Sequence, residues 1–304
     1  MANSEPKLVI VTLTRDNPEQ LELTLRSVRL QTRKPARHIV LDGSSDDFSD
    51  EAARLARESE AEYLWIKPEG IYPAMDFSTS LIDDDDYVLW LNSSDWLAGP
   101  TVLEGLYSRL TSRPLWVSGR VWQRSPGRLK IAGEFRDSAH YRRALLLGLS
   151  GFPHPATVLL GRIVKQAGGF SEERDLRIAA DYDLGLRMIE QFGPPIMISL
   201  VVSVHVTTGF SAQHQARGYI ERFASRLRHA PWRYRLATVT LSPGILGFAV
   251  LRRLLAKVVG TSWAPQGSNG AIEHFCGESD TTKWPHCCDE TLNVFTCYPE
   301  FAKA

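Results

Sequence analysis

An α/β fold, with a mostly parallel sheet flanked by helices and a C-terminal helical appendage, is what this chain predicts. Three features point to it. Short apolar, β-branched runs alternate with helical stretches through the first half. The runs end in polar clusters: Thr12-Leu13-Thr14, Asp42-Gly43-Ser44-Ser45-Asp46 and Asn92-Ser93-Ser94-Asp95. Sheets of this class bind ligands outside the carboxyl ends of their strands, so these clusters converge on one crevice. Finally, 304 residues with 43% apolar and 23% charged content can bury such a core without disulfides.

The elements follow in order. "LVIVTLT" (8–14) is the first strand. Asn17 as N-cap, Pro18 at the first helical position and Gln20 at the third open a helix, with Leu21, Leu25 and Val28 at helical spacing. "HIVLD" (38–42) is strand two, "SDEAARLARESEA" (49–61) a helix and "EYLWIK" (62–67) strand three. A helix over 71–82 precedes "YVLWLN" (87–92), the fourth strand. "GPTVLEGLYSRL" (99–110) places Leu103, Leu106 and Leu110 on one helical face. "LWVSGRVWQ" and "LKIAGEF" are strands joined as a hairpin around Pro126-Gly127. The sequence has no G-x-G-x-x-G and no G-x-x-x-x-G-K-[ST], which argues against dinucleotide binding of the Rossmann type and against P-loop NTPase activity.

Net charge is zero but unevenly spread: residues 217–260 carry +8, between flanks of −4 each. Within this segment, "RGYIERFASRLRHAPWRYRL" interleaves arginines with aromatics, and "PGILGFAVLRRLLAKVVG" has an apolar helical pattern. Two readings stay open: a helical appendage lying on an anionic membrane face, or a helical pair packed on the domain with its arginines in solvent. No nucleic-acid-binding module accompanies the charge. The start "MANSEPKLVIV" lacks a secretory pattern, and the uncharged apolar stretch 236–251, broken by Thr, Ser, Pro and Gly, is short of a membrane span. The expected location is cytoplasmic, peripheral to the inner membrane face if the basic segment touches it. All four cysteines lie between 276 and 297. Their spacing does not match the usual zinc patterns, and the tail 261–304 is expected to be poorly ordered.

Taken together, "VIVTLTRDNPEQLELTLRSVRLQT", "HIVLDGSSDD", "EGIYPAMD", "VLWLNSSDWL", "HPATVLLGRIVKQAGGFSEERDLRIAADYDLGLRM" and "TTGFS" resemble, in order, the family 2 glycosyltransferases of the GT-A fold, over roughly residues 7–212. The segment 154–188 is especially similar to enzymes that build bacterial surface polysaccharides. The resemblance implies a Rossmann-like GT-A domain over 1–212, followed by a basic helical appendage over 213–260 and the tail. It implies inverting transfer of a sugar from a nucleotide-diphosphate donor, a UDP-sugar in most of the family, to a hydroxyl acceptor, which could be lipid-linked. Thr12 and Thr14 would lie beside the nucleotide, and Asp42 would bind the uracil or ribose region. Asn92, Ser93, Ser94 and Asp95 occupy the place of the element that holds a divalent metal, Mg²⁺ or Mn²⁺, against the diphosphate. Asp181 takes the place of the catalytic base, and His154 lines the acceptor side. Two segments depart from the family pattern. Ser94 stands where an Asp is expected, leaving Asp95 as the one charged member of the turn, and "GIYPAMD" carries Pro73 and Asp76 where an acidic residue and an Asn are common.

These residue types suit that chemistry. A departing diphosphate needs a divalent cation or fixed positive groups, and Mg²⁺ often takes one or two carboxylates plus phosphates and water, so Asp95 alone could serve. A positioned carboxylate can take the acceptor's proton as the hydroxyl attacks the anomeric carbon. Each residue also has a structural reading. Asn92 and Asp95 could only form a strand-end turn, Asp42 an Asx-turn, and Asp181 a helix first-turn acid, with Asp183 its competitor as base. His205 is either a structural histidine or a metal ligand of the kind a C-terminal His supplies in some GT-A enzymes. The run Asp83–Asp86 is expected to be a solvated connection. The alternative to an active transferase is a catalytically weak GT-A domain serving as a binding or scaffold subunit of a polysaccharide assembly complex.

Overall fold

In a computed structural model the described residues are 5–125, 128–170, 176–207 and 214–240. The cysteine-containing tail 261–304 and the apolar pattern over 243–260 lie outside them. One sheet runs β3 (Glu62–Trp65), β2 (Arg37–Asp42), β1 (Leu8–Thr14), β4 (Tyr87–Trp90), β8 (Thr157–Leu160), β6 (Trp116–Ser125), β9 (Ile196–Val206), β5 (Trp96–Leu97), with β7 (Arg128–Ala132) pairing β6 as the expected hairpin. The first four neighbours are parallel throughout, and β6 and β9 form a second parallel ladder. Antiparallel β8 joins the two halves, and β5 pairs antiparallel with β9. Most paired residues therefore lie in parallel ladders, with helices covering the sheet.

The first helix, α1 (Pro18–Arg29), opens as its sequence dictates: Asn17 Oδ1 accepts a hydrogen bond from Gln20 N at 3.2 Å, with Pro18 in the first turn. Helix α2 (Asp46–Glu58) begins three residues earlier than its apolar periodicity indicates, with Asp46 and Asp47 in its first turn. Acids there meet the positive end of the helix dipole. Leu21 and Leu25 of α1 and Ala52, Leu55 and Ala56 of α2 bury against Val40 on one face of β2. Helix α3 (Ile71–Thr79) stops short of the expected 82. Helix α4 (Val102–Leu110) buries Leu103, Leu106 and Leu110, as their spacing predicts.

Three further helices complete the frame: α5 (Ser138–Leu147), α6 (Gly161–Gln166) and α7 (Ala180–Phe192). In the acidic run before β4, Asp83–Asp85 form a surface connection tied to α6, with Lys165 on Asp84 at 2.7 Å and Arg162 on Asp85 at 3.1 Å, whereas Asp86 is buried, not solvated as expected. After residue 213, helix α8 (Gln215–His229) packs on α7, and a helix over 232–240 follows. Among the described residues no helix is long and apolar enough to cross a membrane.

Candidate active site

Strand β4 is wholly buried, and the chain leaves it through a turn. Asp95 N donates to Asn92 O at 3.0 Å, and Ser94 takes a left-handed φ of 83°. The turn is fixed from below, where Ser93 N donates to Leu13 O and Thr24 Oγ1 of α1 donates to Asp95 O at 2.7 Å. A left-handed conformation at a non-glycine residue persists only when its surroundings hold it. The polar end of this buried strand is thus a rigid turn, and all four of its residues, Asn92 to Asp95, line a cavity of about 1110 Å³.

Within the cavity the side chains form two linked groups. Asp95 is buried, and its Oδ1 accepts from His205 Nδ1 at 2.9 Å and from Val206 N at 3.3 Å. Burial disfavours the charged form of His205. The Asp95 carboxylate, with a further contribution from Asp181, outweighs that and raises its pKa above the ordinary value. The second group centres on His154, in the short helical turn before β8. Its Nδ1 lies 3.3 Å from Asp181 Oδ2 and its Nε2 3.3 Å from Asn92 Nδ2. With Nδ1 donating to the carboxylate, Nε2 accepts from the Asn92 amide. The His154 and His205 rings stand 6.4 Å apart.

Asp181 sits in the first turn of α7, where Oδ1 accepts from Tyr182 N at 2.7 Å and lies 3.3 Å from Tyr72 Oη. Tyr72 also donates to Ile178 O, at 2.8 Å. Its neighbour Asp183, the competing base, has a different place. It is buried and paired with Arg187 at 2.9 Å, His229 Nε2 lies 3.1 Å from its other oxygen, and it does not line the cavity. Burial opposes its charge, but His229 and Arg187 prevail and hold its carboxyl down to about 2. Arg187 in turn donates to the carbonyls of Ala167 and Gly169, so this pair ties α7 to the turn after α6.

The expected nucleotide residues do not all reach the cavity. Thr12 is fully buried with its hydroxyl 3.0 Å from His38 Nε2, and Thr14 is nearly so. Asp42 is also fully buried, with Oδ1 accepting from Ser44 N at 2.9 Å and Oδ2 from Tyr63 Oη at 2.8 Å. None of the three lines the cavity. They lie on the face of β1 and β2 that packs under α1 and α2, whereas the turn after β4 leaves the carboxyl end of an interior strand. Asp76 is a fastener: its Oδ1 accepts from Phe170 N at 2.7 Å. His154, Asp181 and the turn 92–95 do come together.

Two contributors were not foreseen from sequence. Tyr72 meets Asp181 from α3, and α8, beyond the expected domain boundary, reaches the site. Its buried Glu221 accepts from the backbone amides of Arg177, Ile178 and Ala179 at 2.8–3.2 Å, fixing the loop that delivers Asp181. Arg222, the next residue, lines the cavity. No local pattern marks either residue, because both act across tertiary contacts.

Among the described residues no three His, Cys, Asp or Glu side chains gather as a metal cage. Asp95 and His205 nevertheless fit a cation whose remaining ligands come from substrate. Both line the cavity, and their mutual hydrogen bond uses Oδ1 and Nδ1, leaving Oδ2 and Nε2 uncommitted to each other.

No protein-family model and no curated protein matches this sequence. Solved structures do match. S. aureus TarS has a TM-score of 0.57 at 13% identity, with 74% of this chain and 40% of that chain covered, so this chain spans well under half of its length. TarS 1–349 in complex with UDP-GlcNAc gives 0.56 at 13%, covering 74% and 68%. The mannosyltransferase PcManGT from Pyrobaculum calidifontis, in complex with GDP-Man and Mn2+, gives 0.56 at 14%, covering 86% and 82%. The fold is therefore that of the GT-A glycosyltransferases, which the sequence resemblance implies.

Proposed function

We propose that this protein is an inverting glycosyltransferase that moves a sugar from a nucleotide-diphosphate donor, a UDP-sugar by preference, to a hydroxyl acceptor in polysaccharide or glycolipid synthesis. One observation carries the reading: Asp181, His154 and the turn 92–95 face a single large cavity at the strand ends of a GT-A fold. Solved neighbours of that fold hold UDP-GlcNAc and GDP-Man, which supports a nucleotide-sugar donor.

In this mechanism the donor's diphosphate lies against Asn92–Asp95. Asp95 and His205 would hold Mg²⁺ or Mn²⁺, which when bound neutralises charge on the departing diphosphate. Thr12, Thr14 and Asp42 do not line the cavity and would act on the nucleotide end only through their neighbours, Asp42 by fixing the Ser44 backbone and the Tyr63 hydroxyl at the end of β2. The acceptor hydroxyl approaches from the Asp181 side. Its oxygen bonds to the anomeric carbon as the bond to the β-phosphate oxygen breaks. The electron pair leaves with the nucleoside diphosphate and the hydroxyl proton passes to Asp181. His154 and Tyr72 hold the carboxylate in place. Attack opposite the leaving group inverts the anomeric centre, as in the inverting glycoside hydrolases.

Peripheral membrane contact is part of the proposal. Trp232, Leu236 and Val239 are exposed at helical spacing over 232–240, beside Arg228, Arg233 and Arg235, an arrangement that suits an anionic interface.

The test is Asp181→Asn. Nucleotide binding should persist, while donor turnover, followed as released nucleoside diphosphate, should fall by roughly 10²–10⁴-fold, the usual contribution of a general base. Turnover within a few-fold of wild type would remove Asp181 from that role.

A further inference from the structure

Helix α8 carries a cation that the reaction above does not use. Arg222 lines the cavity, and its Nε is buried without a hydrogen-bond partner among the described residues. Its guanidinium rests 5.7 Å from the centroid of the Tyr182 ring. The other arginines on this face are committed: Arg217 Nε donates to Glu221 at 2.6 Å and Arg226 Nε to Thr238 Oγ1 at 3.2 Å. A guanidinium N–H sealed from water is costly unless an acceptor meets it, and Arg222, half-buried as a whole, keeps its Nε in that state.

The position of Arg222 says which anion. His154 divides the cavity, with Nε2 toward Asn92 and Nδ1 toward Asp181. On the Asn92 side lie the turn 92–95 and His205, where the donor diphosphate is assigned. Arg222 belongs to the other side. It stacks by Tyr182, whose backbone N–H holds Asp181, and a side chain on Gly151 would begin 3.9 Å from its Nη2. Its charge also acts on the hydroxyl of Tyr72, the other partner of Asp181 Oδ1, lowering a pKa that burial raises.

We propose that Arg222 binds an oxyanion carried by the acceptor, a phosphate or a carboxylate near the attacking hydroxyl, so that the acceptor is an anionic molecule. This inference rests on the transferase reading, because that reading assigns the Asp181 side to the acceptor. Arg222 is a binding residue and takes no proton. A guanidinium offers a fork matched to both oxyanions, and an ammonium matches it only as a point charge.

The experiment is calorimetric titration of inorganic phosphate, and separately of acetate, into the full chain, its R222Q variant and its R222K variant, with UDP and GDP titrated into each. At least one anion should bind the wild-type protein. R222Q should weaken that binding at least tenfold and R222K by less, while affinity for the nucleotide stays within twofold. The anion that responds identifies the group. Anion binding unchanged in R222Q overturns the proposal. So does an equal loss of nucleotide and anion binding, which would assign the guanidinium to the donor diphosphate. Absence of nucleotide binding in the wild-type protein contradicts the transferase reading instead, and is seen separately from the anion titration.

Discussion

His38 is a buried base whose ring meets Thr12 Oγ1 at 3.0 Å. Burial pushes its pKa down from 6.5 to about 4. The unfolded chain therefore binds a proton between pH 6.5 and 4 that the folded chain refuses, so stability is intact above pH 6.5 and falls as the pH drops toward 4. The loss from this group is about 3 kcal/mol. Denaturant unfolding across that range should show the slope in wild type and lack it in His38→Asn; equal slopes would mean that His38 does not titrate as its burial dictates. The same strand region shows what sequence can and cannot reveal. Asn92–Asp95 was readable as a polar turn, here lining the cavity, because polarity ends an apolar run abruptly, and Asp181 as a first-turn acid because it opens an amphipathic helix. For Thr12 and Asp42 the sequence placed the strand end, and the structure adds the face on which their side chains lie. Their alternation puts them under α1 and α2, where His38, Ser44 and Tyr63 satisfy them.

Strands and helices with continuous periodic patterns were readable within a few residues, among them β1, β2, β4, α1 and α4. Strand β5 was not. It has two residues, Trp96 and Leu97, and exists through pairing with Val204 and Ser203 of β9, about a hundred positions away. The role of α8 was hidden for the same reason. Its composition is basic, yet its consequential residue is an acid, Glu221, which gathers three backbone amides of the loop before α7. Hydrogen bonds to a charged acceptor contribute about 1.5–3 kcal/mol each, though a neutral isostere keeps part of that. Glu221→Gln should therefore cost about 2 kcal/mol in denaturant unfolding. It should also lower donor turnover with little change in nucleotide affinity, since the loop positions Asp181 and not the turn 92–95. Loss of nucleotide affinity equal to the loss of turnover would mean that α8 supports the whole cavity and not the Asp181 loop in particular.

Across the whole molecule, two parallel ladders meet at an antiparallel joint, and the cavity opens where they meet. Strands β4 and β9 enter it from the two halves, bringing Asp95 and His205 to 2.9 Å although they stand 110 positions apart. The α7–α8 pair lines the cavity with Asp181 and Arg222. This arrangement predicts a donor site that works with one turn carboxylate where the resembling family usually supplies two or three. The direct test is calorimetric titration of UDP and of GDP into the purified protein, with and without Mn²⁺. The expected result is binding of one nucleotide, tightened by Mn²⁺, which would name the donor class and show that Asp95 suffices. Failure of both nucleotides to bind, with metal or without, would contradict the transferase account and leave a GT-A domain that serves as a binding or scaffold subunit.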